Sequence, residues 1–281
     1  MTISNAARCI ANTIVYEGKF ARTRADRGDW TSGQIGVGRL GGTAYGIAAM
    51  TLVERGLSPN FDLSTLTEAQ AINLYKKKEW QECAGDQMPK GLDQIIYDGT
   101  VNSGKGRGIP WVGKAVKCQA PTNAAAVART ATTLSFDRRR LAVKAAIASR
   151  VAFLHSLSIF KTFGPGWMKR CTGMEAIGVK MVLEDAALTP AQIQAQLQTE
   201  AGAAKKKAAA SATTGGGIGS TGGGAATQTP DPSTLDWTQI IGIGCLSAII
   251  TGVVVYFAYQ AFKNYHRNNA YLAAANGTIG G

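Results

Sequence analysis

Glu17 stands immediately before Gly18 at the end of a periodic apolar run, and the loop that follows holds two further acids, Asp26 and Asp29. Beyond a run of glycines on the far side of that loop comes the hydroxyl of Thr43. A carboxylic acid at a helix end beside a cleft-forming loop is partly desolvated, which keeps a proton available near neutral pH. A second group nearby can stabilise an oxocarbenium-like centre or direct water, and the set can then cleave a glycosidic bond. In that chemistry Glu17 is the acid, Asp26 the first choice of partner, Asp29 the second, and Thr43 a stabilising or water-positioning group. The competing interpretation of the spacing alone is a solvent-facing glutamate at a helix end.

The elements that must position these residues are mainly helical. Residues 4–16 carry Ala7, Ile10, Ala11, Ile14 and Val15 at the spacing of one helix face. Residues 22–42, with GDWTSGQIGVGRLGG, form a turn-prone stretch that fits a small hairpin or a long functional loop. Thr67 followed by Gln70 is a helix-start pattern, and residues 92–102 and 136–157 continue the helical periodicity.

The chain of 281 residues has 30 Lys and Arg against 18 Asp and Glu, a net charge of +12 that favours a polyanionic partner. Nucleic acid, anionic lipid and bacterial cell wall all qualify. Nucleic acid is not expected, because the charge is scattered in short groups such as Arg138–Arg140 and Lys205–Lys207 rather than forming a basic-aromatic stripe. The five cysteines, Cys9, Cys83, Cys118, Cys171 and Cys245, show no CxxC pair and are interpreted mostly as small buried hydrophobes, so neither a metal nor an organic cofactor is expected. Residues 1–20 lack the basic start and apolar core of a cleavable secretion signal.

Residues 201–232 are rich in Ala, Gly, Ser and Thr and poor in large apolar groups, which predicts a flexible tether. Residues 238–262 contain no charged side chain, with Trp237 on one flank and Tyr256, Tyr259 and Tyr265 near the other; this predicts a single transmembrane helix. The expected location is therefore a virion membrane or a host inner membrane, with lipid contacted through 238–262.

Four ordered stretches, YEGKF, DRGDWTSGQIGVGRLGGTAYGIA, LTEAQAINLYKKKEWQ and YDGTVNSGKGR, resemble the glycoside hydrolase family 108 muramidases of phages and bacteria over about residues 5–117. Those proteins carry an EGG motif, a glycine-rich loop, an LT..A..IY...YW helix and a D.AVNSG motif. The resemblance implies a lysozyme-like α+β fold and cleavage of the β-1,4 bond between N-acetylmuramic acid and N-acetylglucosamine, with Glu17 as the acid. Two departures are plain: Lys19 replaces the second glycine of EGG, and DRGDWTSG replaces a DPGG stretch, which leaves the second catalytic group open. For the substrate, Trp30 either lines the cleft or pins the loop, and Tyr45 either stacks on a sugar ring or packs in the core. Asn102 and Ser103 either bond an N-acetyl group or cap a helix, and Asp98 is interpreted as structural.

Residues 120–190 resemble the predicted peptidoglycan-binding module of the same family. The match lies in Arg150, Phe153, Leu154, Leu157, Phe160, Phe163-Gly164, Gly166-Trp167 and Arg170, with a turn expected at Gly164-Pro165-Gly166. The expected organisation is a lysozyme-like domain at 1–118, a helical module at 119–198, a linker at 199–236, a transmembrane helix at 237–263 and a short basic tail at 264–281. The expected function is a membrane-anchored N-acetylmuramidase of phage origin acting on peptidoglycan for wall penetration or lysis, with virion proteins as further partners. A lytic transglycosylase and an inactive wall-binding virion protein are the alternatives.

Overall fold

A computed structural model of the chain describes residues 5–220 and 248–278. Two compact units divide between Ala146 and Ile147, inside a helix that the sequence periodicity also predicts. Among the described residues the chain is mainly helical with one small three-stranded sheet, as a lysozyme-like α+β fold requires.

The first unit begins with α1 (Ala6–Ile14), where Ala6, Cys9, Ile10, Thr13 and Ile14 are buried along one face. Three strands of two residues each follow, β1 (Phe20–Ala21), β2 (Thr43–Ala44) and β3 (Ile47–Ala48), in the order β1-β2-β3 with both pairings antiparallel. Helix α2 (Glu68–Lys77) starts at a full capping box between Thr67 and Gln70, as the sequence pattern predicts. Helices α3 (Glu79–Glu82), α4 (Leu92–Ser103), α5 (Lys105–Ala115) and α6 (Ala124–Thr132) follow. Helix α4 is the centre of this unit, buried without a break from Leu92 to Thr100.

α1 is held against α4 by a polar seam within the core. Gln94 donates from Nε2 to the Cys9 carbonyl (3.2 Å) and Thr13 Oγ1 (3.1 Å), and Asn12 Nδ2 donates to Gln94 Oε1 (2.9 Å). Asp93, 1% exposed, accepts from the backbone N–H of Gly91 (2.8 Å) and Gln94 (2.7 Å) and from Asn5 Nδ2 (3.0 Å). Burial outweighs these bonds and pushes its carboxyl up to about 6. A carboxyl raised in the folded state gives its full stabilisation below about pH 4, and this is lost as pH rises through about 6, a change on the order of 3 kcal/mol. Asp93→Asn keeps the acceptor for both N–H groups, and the Asn5 amide can turn its oxygen to the new donor. We therefore expect the variant to melt higher than wild type at pH 7 and to lose the slope of stability between pH 4 and 6. Thermal unfolding of both proteins across that range checks this, and an unchanged slope would contradict it.

The second unit holds the end of α7 (Phe136–His155), then α8 (Phe160–Asp185), α9 (Pro190–Ser220) and α10 (Ala248–Ala275). Helix α8 runs through Gly164-Pro165-Gly166 instead of turning there. Pro165 lies close enough to the helix start that the clash of its ring falls on the first turn, at Lys161.

Residues 199–220, expected within a flexible linker, continue α9. Ile193, Leu197, Ala201, Ala204 and Ala208 are all buried at intervals of three and four, so the alanines extend an apolar stripe begun by larger residues. Alanine also has the highest helix propensity, which a composition-based linker assignment overlooks. Residues 221–236 of the expected linker lie outside the described residues.

The membrane assignment is corrected. Among the described residues no helix is long and apolar enough to cross a membrane, so a single-pass anchor, and with it a virion- or host-membrane location, is not supported. Residues 238–247 of the expected span lie outside the described residues; the remainder belongs to α10, which continues past Lys263 and Arg267 to Ala275. Tyr259, Ala261, Phe262, Tyr271 and Ala274 of this helix are buried within the second unit. The buried Glu175 of α8 accepts from Arg267 Nη2 (2.7 Å) and Tyr271 Oη (2.8 Å), one helical turn apart. The described part of the uncharged run, residues 248–262, is thus the start of a helix that packs against protein and is held by an ion pair to the buried Glu175. The expected basic tail is helical as far as Ala275.

Candidate active site

Helix α1 ends at Ile14, and the backbone N–H groups of Tyr16 and Glu17 bond back to Thr13 and Ile14 (3.1 and 3.0 Å), adding one further turn. Gly18 then takes a φ of +75°, which turns the chain away and leaves Glu17 half-buried at the helix exit. The side chain rests on the β2–β3 hairpin. Its turn residues, Tyr45 and Gly46, have φ values of +51° and +76°, the double left-handed geometry of a tight two-residue turn. A methyl group at Gly46 would lie 3.1 Å from both Cβ and Cγ of Glu17 and 2.6 Å from Tyr75 Oη. Only glycine lets the acid's stem lie on this turn.

The turn is fixed from two sides. The Tyr45 N–H donates to the carbonyls of Gly18 (3.0 Å) and Lys19 (2.8 Å), tying the hairpin to the residues that follow the acid. From the other side Tyr75 of α2 donates its hydroxyl to the Tyr45 carbonyl (2.9 Å). Arg55 lies 5.0 Å over the Tyr75 ring and pairs with Glu79 through two bonds of 2.6 and 3.2 Å. Tyr75→Phe keeps the ring and removes only the hydroxyl. We expect it to cost roughly 1 kcal/mol and to speed amide exchange at residues 45–47, which hydrogen-exchange mass spectrometry can read.

Asp29 and Thr43 are brought together. Asp29 is 2% exposed; its Oδ1 accepts from Thr43 Oγ1 (2.7 Å) and its Oδ2 from the Thr23 N–H (2.6 Å). The Asp29 carbonyl also takes the N–H groups of Gly41 (2.7 Å) and Gly42 (3.1 Å), so one residue closes both ends of the glycine-rich loop. Asp26 is exposed and caps a short 3₁₀ turn, Arg27–Asp29, by accepting from the Gly28 N–H through Oδ1 (2.8 Å). Its second oxygen has no hydrogen-bond partner among the described residues. The two acids of the loop therefore differ: Asp29 has both oxygens engaged, whereas Asp26 keeps one oxygen for a ligand.

Trp30 is half-buried, pairs with Leu40 across the loop and donates from Nε1 to the Arg24 carbonyl (3.0 Å). It pins the loop. Tyr45 is half-buried at the hairpin turn. Asn102 and Ser103 end α4, where Ser103 Oγ donates to Asn102 Oδ1 (3.4 Å) and the Ser103 carbonyl accepts from Arg107 (3.3 Å). They belong to the α4–α5 junction rather than to the hairpin. Asp98 is fully buried in α4. Cys9, Cys83 and Cys171 are free and buried and Cys118 is free and half-buried, while Cys245 lies outside the described residues.

Tyr75 and Gly46 were not evident as site residues from sequence. The signal for Gly46 is its place in Tyr-Gly between two short β-prone pairs, a two-residue hairpin pattern. The signal for Tyr75 is weaker, since its position four residues after the buried Ala71 marks only a core face.

A family model, Glycosyl hydrolase 108, matches residues 10–104 of the chain. That stretch contains Glu17, the loop that bears Asp26 and Asp29, the hairpin and all of α4. No curated protein sequence matches the chain. Among solved structures, that of Brucella abortus SagA is similar, with a TM-score of 0.51 and 24% identity over 66% of this chain and 98% of that one. At this identity the likeness bears on fold.

Proposed function

We propose that the chain is a peptidoglycan hydrolase of the N-acetylmuramidase type, cleaving the β-1,4 bond between N-acetylmuramic acid and N-acetylglucosamine. The observation that carries this reading is the placement of Glu17, half-buried at the exit of α1 with its stem against the Tyr45-Gly46 turn. The Glycosyl hydrolase 108 match over the same residues supports it.

In this reading Glu17 protonates the bridging oxygen as the glycosidic bond breaks. Asp26, with one carboxylate oxygen free of hydrogen-bond partners among the described residues, faces the developing positive charge or takes a proton from water. Thr43 directs its single hydroxyl proton to Asp29, so toward a water its oxygen can only accept. A water oriented by Thr43 would favour hydrolysis over internal cyclisation of the sugar. Asp29 positions Thr43 and the loop.

Incubation of the full chain with purified bacterial sacculi tests the reading. Falling turbidity with the appearance of new reducing sugar ends is expected. Turbidity loss with new amino groups and no reducing ends would indicate peptide-bond cleavage and overturn it.

A further inference from the structure

The first part of the loop after Glu17, residues 18–30, is unbalanced in charge, carrying Lys19, Arg22, Arg24 and Arg27 against Asp26 and Asp29. Its acids are turned onto its own backbone: Asp29 onto the Thr23 N–H and Asp26 onto the Gly28 N–H. Its bases are all exposed. Arg24 and Arg27 have no side-chain hydrogen bond or ion pair among the described residues. Arg22 lies over the Phe20 ring at 5.2 Å and approaches Asp62 only to 3.9 Å, with 43% of its side chain exposed.

The loop is also held still. The Thr23–Asp29 and Gly28–Asp26 bonds and the bond from Trp30 Nε1 to the Arg24 carbonyl fix its backbone at three places, so the three guanidinium groups project from a preorganised base. The first of them comes five residues after the acid, on a segment whose strand β1 pairs with the β2 strand of the hairpin under Glu17. A substrate held at Glu17 therefore meets a rim of net positive charge, in which only Arg22 has an ion-pair partner, the exposed Asp62, among the described residues.

We propose that Arg22, Arg24 and Arg27 form a recognition site for the carboxylates of the peptide stems borne by the glycan. This rests on the hydrolase reading above. The stem adds carboxylates at a distance from the sugar ring, whereas a strand stripped of stems keeps only the lactyl carboxylate beside the ring. A guanidinium rim outside the acid matches the former, and the planar fork of arginine suits carboxylate pairing.

The test is binding of fluorescently labelled glycan strands, with stems intact or removed by an amidase, to the full chain carrying Glu17→Gln so that the strands stay whole. Three exposed guanidinium–carboxylate pairs together are worth about 10-fold in affinity. Arg22→Gln/Arg24→Gln/Arg27→Gln should weaken binding of stem-bearing strands by about that factor and leave stripped strands nearly unchanged. Lys205→Gln/Lys206→Gln/Lys207→Gln removes the same charge from exposed positions of the second unit and should change neither. The difference should vanish near 1 M salt, where the screening length is about 3 Å.

Equal losses on both strands from the arginine variant, or equal losses from the lysine variant, would overturn the proposal. Cleavage by the chain with Glu17 intact is scored separately. Selective binding without any cleavage would leave the recognition site standing and remove the hydrolase reading.

Discussion

Glu17→Gln should lower the rate of peptidoglycan cleavage by about 10³-fold, the middle of the range for general acid catalysis. The amide is close in size to the carboxylic acid and keeps the Cβ and Cγ that lie on the hairpin turn, so the fold should be retained and the melting temperature should stay within about 2 °C, or less than roughly 1 kcal/mol. The loss should fall on kcat with little change in KM, because the proton is needed only as the bond breaks. Steady-state kinetics on soluble glycan strands, with a melting curve of the same preparation, makes the comparison. A drop in KM-related binding alone would assign Glu17 to substrate contact instead of proton transfer.

Asp29→Ala should have the second largest effect. Its carboxylate is buried and accepts from a backbone N–H and from the hydroxyl of the half-buried Thr43, so truncation leaves both donors without this partner. Bonds to a charged acceptor contribute about 1.5–3 kcal/mol each, and a destabilisation of about 3 kcal/mol is expected after partial entry of water. The loop from Thr23 to Gly42 should loosen, releasing Thr43, and activity should fall by about 100-fold, as a misplacement near 1 Å can cause. Asp29→Asn can accept only one of the two bonds and should lie between Ala and wild type in stability. Denaturant unfolding and initial rates for both variants check the order. Equal stability of Asp29→Ala and wild type would show that the loop is held by other bonds.

Much of the first unit was legible because its helices carry local signals. The 3, 4, 7, 8 spacing of α1 and the Thr67–Gln70 box of α2 are short-range patterns, and both elements lie where those patterns place them. The roles of Asp26 and Asp29 were not separable, since both are acids in one loop; burial and hydrogen bonding distinguish them, and these depend on Thr23, Gly28 and Thr43 folding around them. The second unit misled for a related reason. Ala201, Ala204 and Ala208 look like linker composition until their intervals are joined to Ile193 and Leu197. The uncharged run before Lys263 suits lipid on hydropathy alone, but α10 buries Tyr259, Phe262 and Tyr271, and Glu175 meets Arg267 across 92 residues of sequence, a pairing with no local trace.

The cleavage chemistry itself is tested most directly by mass spectrometry of the sugars released from purified peptidoglycan by the full chain, wild type beside Glu17→Gln. Fragments ending in reducing N-acetylmuramic acid, released by the wild type and missing from the variant, are the expected result. Reducing N-acetylglucosamine ends, anhydro-muramic ends, or equal release by both proteins would contradict a muramidase that uses Glu17.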